Sequence, residues 1–252
     1  MPCLDLFFPV PLIRLAETDS TSRYLTMLCG KDDIEEFTLV VSDFQTNGRG
    51  QQGNCWEAER GKNLLFSFVL YPFFLEAQNQ FLLSQIIALS IKEELDNFAS
   101  GFSVKWPNDI YWEEQKIGGV LIENDLAGNR IQRSIVGVGI NINQAKFHSS
   151  ALRPVSLMQI TGKQTELSPI LANLMKRYIS YYEWLRRGET NAIAERYRQS
   201  LFRKEGLHPY ADKNGEFIAR IVHVKPEGAL ILEDDEGKRR EYIFKEVNFI
   251  GF

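Results

Sequence analysis

Cysteine and histidine are scarce in this chain, three of each among 252 residues. Cys3, Cys29 and Cys55 are odd in number, far apart, and share no metal-ligand spacing. They predict neither a disulfide framework nor a zinc site, and they fit a reducing cytoplasm. His148, His208 and His223 are scattered too, so a Ser-His-Asp triad is not expected. No apolar run reaches the ~18 residues of a membrane span. The first residues hold Leu6-Phe7-Phe8 but lack a basic leader and a small-residue cleavage site, so no signal peptide is expected. A basic surplus is missing as well: 29 Lys and Arg face 33 Asp and Glu, a formal net charge of -4. That balance argues against a general nucleic-acid binder. What is present is a 44% hydrophobic content, enough for one substantial domain and a small one.

Chemistry concentrates in VKWPNDIYWEEQKIGGVLIEN, residues 104–124. Charged groups alternate with β-formers there, which predicts strand, turn, strand. A hairpin sets its arms side by side, so Lys105 and Lys116 would converge on one anion. Asp109 adds a carboxylate able to hold a divalent cation, and Gly118-Gly119 lets a ligand approach the backbone closely. Such a set suits a nucleotide phosphate. By charge type alone, a solvated hairpin with incidental charges is the better reading. The ordered string KWPND followed by K-x-G-G-x-L-x-E is what separates the two.

Polar residues before Tyr24 and Leu25 predict a helix starting near Ser20. Strands are predicted at 38–41, 64–71 and 134–143, and helices at 80–98 and 167–202 with a break near Gly188. Tyr181, Tyr182 and Trp184 lie at helical spacing and are read as core. Short β-patterned runs at 217–224, 229–232 and 241–244 are separated by Gly-bearing turns. They predict a small antiparallel barrel of about 45 residues. Between Gln45 and Asn54 lies a polar loop carrying Gly48-Arg49-Gly50 and Gly53, with Trp56 beyond it. Successive glycines can turn backbone N–H groups toward an anion, and an Arg adds a bidentate partner.

These elements, with Gly137-Val138-Gly139-Ile140-Asn141-Ile142-Asn143 after them, resemble the biotin protein ligase family in identity and order. The resemblance covers nearly the whole chain. It implies an α+β fold: a mixed sheet with helices, class II synthetase-like, over residues 1–204, and an SH3-like β-barrel over 205–252. It implies an ATP-dependent ligase that activates biotin as biotinyl-5′-adenylate. The biotinyl group then passes to a lysine of a biotin carboxyl carrier domain. The residues implied in catalysis are Lys116, Lys105, Arg49 and Asp109, with Asp109 a candidate Mg2+ ligand. Those implied on biotin are Ser20, Thr21, Ser22, Gln45, Arg49, Gly50, Gln51, Lys116, Gly118 and Gly119. Trp56, Asn108, Asn141 and Asn143 are implied on the adenylate. By residue type, Ser20 is equally a plain N-cap and Trp56 equally a core anchor. No DNA, no membrane, a cytoplasmic location and a monomer or homodimer complete the expectation. The first motif begins at residue 18, which leaves no room for the helix-turn-helix domain of repressor relatives. A lipoate-protein ligase of the same fold and an inactive biotin-binding module are the alternatives.

The chain departs from the family's pattern in three places. Ser22 stands where Asn is usual, and Gln51 and Asn54 stand where arginines are usual. Each missing guanidinium removes a charge-assisted donor of ~1.5–3 kcal/mol when well placed. We therefore expect Gln51→Arg to slow release of the adenylate and to sharpen acceptor selectivity. Equal adenylate off-rates in the two proteins would show that another group already does the holding.

Overall fold

A computed structural model describes residues 8–50, 55–148 and 153–251. Cys3, Gln51 and Asn54 lie outside the described residues. The chain begins with β1 (Leu12–Leu15), α1 (Thr21–Cys29), β2 (Leu39–Ser42) and β3 (Leu64–Leu70). Next come α2 (Phe81–Leu95), β4 (Phe102–Lys105), β5 (Asp109–Trp112), β6 (Gln115–Ala127) and β7 (Arg130–Ile140). Helices α3 (Leu157–Thr161), α4 (Leu167–Arg186) and α5 (Thr190–Ser200) follow. The seven strands form one mixed sheet, ordered β1-β2-β3-β7-β6-β5-β4, in which only β1 and β2 pair in parallel.

Strand β3 reads LLFSFVL, and every residue of it is buried. A strand covered on both faces carries a continuous apolar run rather than an alternating one. Here α1 covers one face, where Leu25 joins Val40, Val69 and Ile135. Helices α2 and α4 cover the other, with Phe68 edge-on to Tyr178 at 4.7 Å between ring centroids. α2 is apolar nearly all round because it lies between the sheet and α4 and α5. Among the described residues, no helix is long and apolar enough to cross a membrane.

The predicted hairpin at 104–124 is a three-stranded meander. Lys105 ends β4, Pro107-Asn108 makes one turn and Glu113-Glu114 makes another, with Glu113 at φ 50°. Alternation identifies strand but does not count strands; the two turns do. Between β5 and β6 the register shifts, so that Asp109 faces Gly119 and Tyr111 faces Lys116. Ile117 is the extra residue of this bulge. The glycine-bearing strand ends at Ile140, which leaves Asn141 and Asn143 in the segment after it.

A second sheet follows, of β8 (His208–Asp212), β9 (Gly215–Val224), β10 (Leu230–Asp234), β11 (Arg239–Tyr242) and β12 (Asn248–Phe249). It is antiparallel and ordered β11-β10-β9-β8-β12. β8 and β12 extend the three runs visible in the sequence. The two sheets meet around the turn after β4. Trp106 Nε1 donates to Gly228 O at 2.9 Å, and Tyr197 donates its hydroxyl to Pro107 O at 2.6 Å. Gly228 sits at φ 99°, and a Cβ there would come within 2.9 Å of the Phe81 ring. Gly228→Ala is expected to destabilise this junction by about 1–3 kcal/mol, from overpacking and backbone strain together. A lower urea midpoint would report it; an unchanged midpoint would mean that the junction gives way freely.

Candidate active site

A cavity of ≈ 280 Å³ opens where the start of α1, the loop at 45–50, strands β4 to β7 and the segment 244–249 meet. One end is a buried polar floor. Ser20 holds the extended N-cap conformation of α1 but its side chain caps nothing; its Oγ meets Ser22 Oγ at 3.0 Å. The cap comes from outside the helix. Gln45 Oε1 accepts from Thr21 N at 2.7 Å and from Thr21 Oγ1 at 3.1 Å. Thr21 Oγ1 lies 2.8 Å from Ser67 Oγ; having given its proton to Gln45, it accepts from Ser67.

The other end is charged. Lys116 Nζ lies 2.7 Å from Asp109 Oδ1, and both side chains are mostly buried. Bare backbone lies beneath the pair: a Cβ on Gly119 would stand 3.4 Å from each of those atoms. Lys105 donates to the Tyr111 hydroxyl at 3.2 Å. Its Nζ stands 4.8 Å from the Tyr111 ring centroid and 5.4 Å from that of Phe249. Burial pulls the Lys105 pKa down to about 8; Asp109 opposes this, while Lys116 and Arg203 add to it. Burial raises the Tyr111 hydroxyl well above the usual phenol range, so it stays protonated.

Gly137 and Gly139 open the same face of β7. Gly137 lies under Ser67 and Ser22, and Gly139 lies under the indole of Trp56. A Cβ on Gly139 would fall 2.5 Å from that ring, so Trp56 rests on bare strand. Its Nε1 is buried and has no acceptor among the described residues. Gly48 accepts the Trp56 backbone N–H at 3.0 Å, tying the loop to the ring.

Residues 15–141 match the Biotin/lipoate A/B protein ligase family. The chain belongs to that family. It is similar along its length to the solved biotin protein ligase from Aquifex aeolicus in complex with biotin and ATP. That likeness has 29% identity, a TM-score of 0.78, and covers 96% of this chain and 98% of the other. The biotin–[acetyl-CoA-carboxylase] ligase of Paracoccus denitrificans is 28% identical over 242 residues, 89% of this chain and 95% of its own length. The bifunctional ligase/repressor BirA of Bacillus subtilis is 29% identical over 240 residues, 90% of this chain and 70% of its own. The α+β class and mixed sheet expected from the sequence are those of the family.

The cavity brings together most residues that the family's motifs mark. Ser20, Thr21, Ser22, Gln45, Arg49, Gly50, Trp56, Lys105, Asn108, Asp109, Lys116 and Gly119 all line it. Arg49 is engaged by Glu123 of β6 through two hydrogen bonds of 2.8 and 3.1 Å. Asn108 is buried and donates to Val120 O at 3.0 Å. Gly118, Asn141 and Asn143 stand behind the lining. Gly118 backs onto Gly139 O, and Asn141 donates to Val155 O at 3.1 Å. Asn143 exchanges two hydrogen bonds with the backbone of Thr165. Ser67, Trp106 and the segment at 244–249 line the cavity without having been singled out in the sequence. For a metal, Asp109 stands alone: no group of three His, Cys, Asp or Glu side chains occurs among the described residues.

The lowered pKa of Lys105 has a sign that can be tested. An unfolded lysine titrates near 10.4, so between about 8 and 10.4 the unfolded chain binds more protons and stability rises with pH. Below that window the charged ammonium is penalised in full. Lys105→Met should therefore gain most over the natural protein at neutral pH, and the gain should shrink toward pH ~10. Denaturant melts across that range would show it, and a pH-independent difference would contradict it.

Proposed function

We propose that the protein is an ATP-dependent biotin protein ligase. It activates biotin as biotinyl-5′-adenylate with release of pyrophosphate. It then passes the biotinyl group to the ε-amine of a lysine on the carrier domain of a biotin-dependent carboxylase. The observation that carries this reading is the single cavity with a hydrogen-bonding floor at one end and the Lys116–Asp109 pair, over bare Gly119, at the other. A carboxylic acid whose head group meets the floor would present its carboxylate to the lysines.

In the first step a biotin carboxylate oxygen attacks the α-phosphorus of ATP in line, and pyrophosphate leaves. No protein nucleophile is required; positioning and charge stabilisation supply the rate. Lys116 is placed to hold the carboxylate and α-phosphate oxygens, and Asp109 keeps its ammonium aimed over Gly119. Lys105 and Arg49 hold the phosphates, Arg49 by exchanging Glu123 for them. Ser20, Thr21, Ser22 and Gln45 take the head group of the acid. Trp56 and Asn108 line the adenylate side, and Asn141 and Asn143 brace the backbone behind it. Asp109 would hold Mg2+, which would supply neutralisation of phosphate charge. In the second step the acceptor amine attacks the acyl carbon and AMP leaves. Asp109 accepts a hydrogen bond from the incoming amine. Residues 205–252 act as a separate small β unit that closes one side of the site.

Incubation of a purified carrier domain with biotin, ATP and Mg2+ should add one biotinyl mass to it. Preferential transfer of lipoate or octanoate would overturn the substrate. Absence of biotin-dependent pyrophosphate exchange would leave only a binding module. Within this scheme Lys116→Ala should lower biotin-dependent pyrophosphate exchange by on the order of a hundredfold or more, with the fold intact. Near-normal exchange would remove Lys116 from the chemistry.

A further inference from the structure

The family's motifs end at Asn143, yet the ammonium of Lys105 is met from the far end of the chain. Nζ lies between the Tyr111 ring of β5 and the Phe249 ring of β12, 4.8 and 5.4 Å from their centroids. The Phe249 distance falls within the ~6 Å over which a ring face attracts a cation, while Tyr111 is met at its hydroxyl, 3.2 Å away. Phe249 is fixed in place. It is 9% exposed, stacks on Phe202 at 6.3 Å and meets Tyr210 edge-on at 5.0 Å. Arg203 straps the same strand end, donating to Pro209 O at 2.9 Å and to Ile250 O at 2.8 Å. Phe202 in turn faces Tyr111 at 5.6 Å, so the two rings about Lys105 belong to one aromatic row that crosses from sheet to sheet.

We propose that Phe249, with Tyr111, is a positioning residue for the ligase reaction: the Phe249 ring and the Tyr111 hydroxyl hold the Lys105 ammonium in a dry place and aim it at the nucleotide phosphates. The second sheet thus acts on the chemistry through Lys105 as well as by closing the cavity. A ring face stabilises the charged amine, and Asp109, the cross-strand partner of Lys105, adds a carboxylate on the same face. The charged and titratable groups around it are Asp109 and Tyr111 from β5, Lys116 from β6, and Arg203 after α5; Lys245 lines the same cavity. This proposal rests on the phosphate role given to Lys105 above.

The test replaces Phe249 by difluoro- and then pentafluorophenylalanine, which keep the shape and drain the ring face of charge. Unfolding temperatures should stay level across the series. The KM for ATP should rise stepwise, by about threefold or more over the series, with kcat nearly constant, and Phe249→Tyr should behave as the natural protein. In a Lys105→Met background the same series should leave the ATP KM unchanged. An ATP KM that stays level across the series, while Lys105→Met itself weakens ATP binding, overturns the clamp. A Lys105→Met variant of normal ATP affinity overturns the phosphate role of Lys105. Phe249→Leu serves as a second variant should the fluorinated proteins fail to fold, and an unmoved ATP KM there overturns the clamp equally.

Discussion

The site depends on one extra residue in β6. Opposed residues of an antiparallel pair share a face, and a slip of one position sends a side chain to the other face. Asp109 faces Gly119 across β5 and β6, so regular pairing would set Ile117 on the cavity side and Lys116 in the core. The bulge reverses this. Ile117 is fully buried, and Lys116 joins Asp109, Tyr111 and Lys105 on one face. The backbone of Lys116, next to the bulged residue, is not left to itself. Lys116 N donates to Arg153 O and Lys116 O accepts from Val155 N, each at 3.0 Å. The segment at 153–155, which follows β7, thereby holds the register that places the charge.

The turn carrying Trp106, Pro107 and Asn108 is the second point of convergence. Gly228 takes the indole N–H, Tyr197 binds the Pro107 carbonyl, and Val120 takes the Asn108 amide. Val104, just before the turn, accepts from Phe202 N at 2.8 Å. Elements from three parts of the chain therefore fix the three residues between Lys105 and Asp109. Such over-determination is how a site keeps its side chains within the narrow tolerances that reaction requires.

The parts of this arrangement that the sequence disclosed are those written in local chemistry. The mainly apolar β3, the break at Gly188 and the Gly-punctuated C-terminal strands follow from periodicity and turn residues. β1 and β12 are short and β8 carries Pro209 inside it, so none shows a strand pattern, and they exist through their pairing partners. The bulge was not legible, because K-I-G-G reads the same with or without it. Nor was the pairing of Arg49 with Glu123, which joins a loop to a strand distant in the chain. The lining by Phe244 to Phe249 is a product of docking between sheets, which no spacing within either sheet encodes.

Trp56 and Gly139 share one volume. The indole lies against a backbone with no room for even a methyl group, and Gly48 holds the Trp56 main chain. Neither position is free to drift alone through evolutionary time. A larger residue at 139 demands a smaller one at 56, and a smaller one at 56 uncovers the strand beneath it. Two sites far apart in the gene are thus inherited as a pair, and their joint variation among descendants of this chain would record a contact that neither motif reveals by itself.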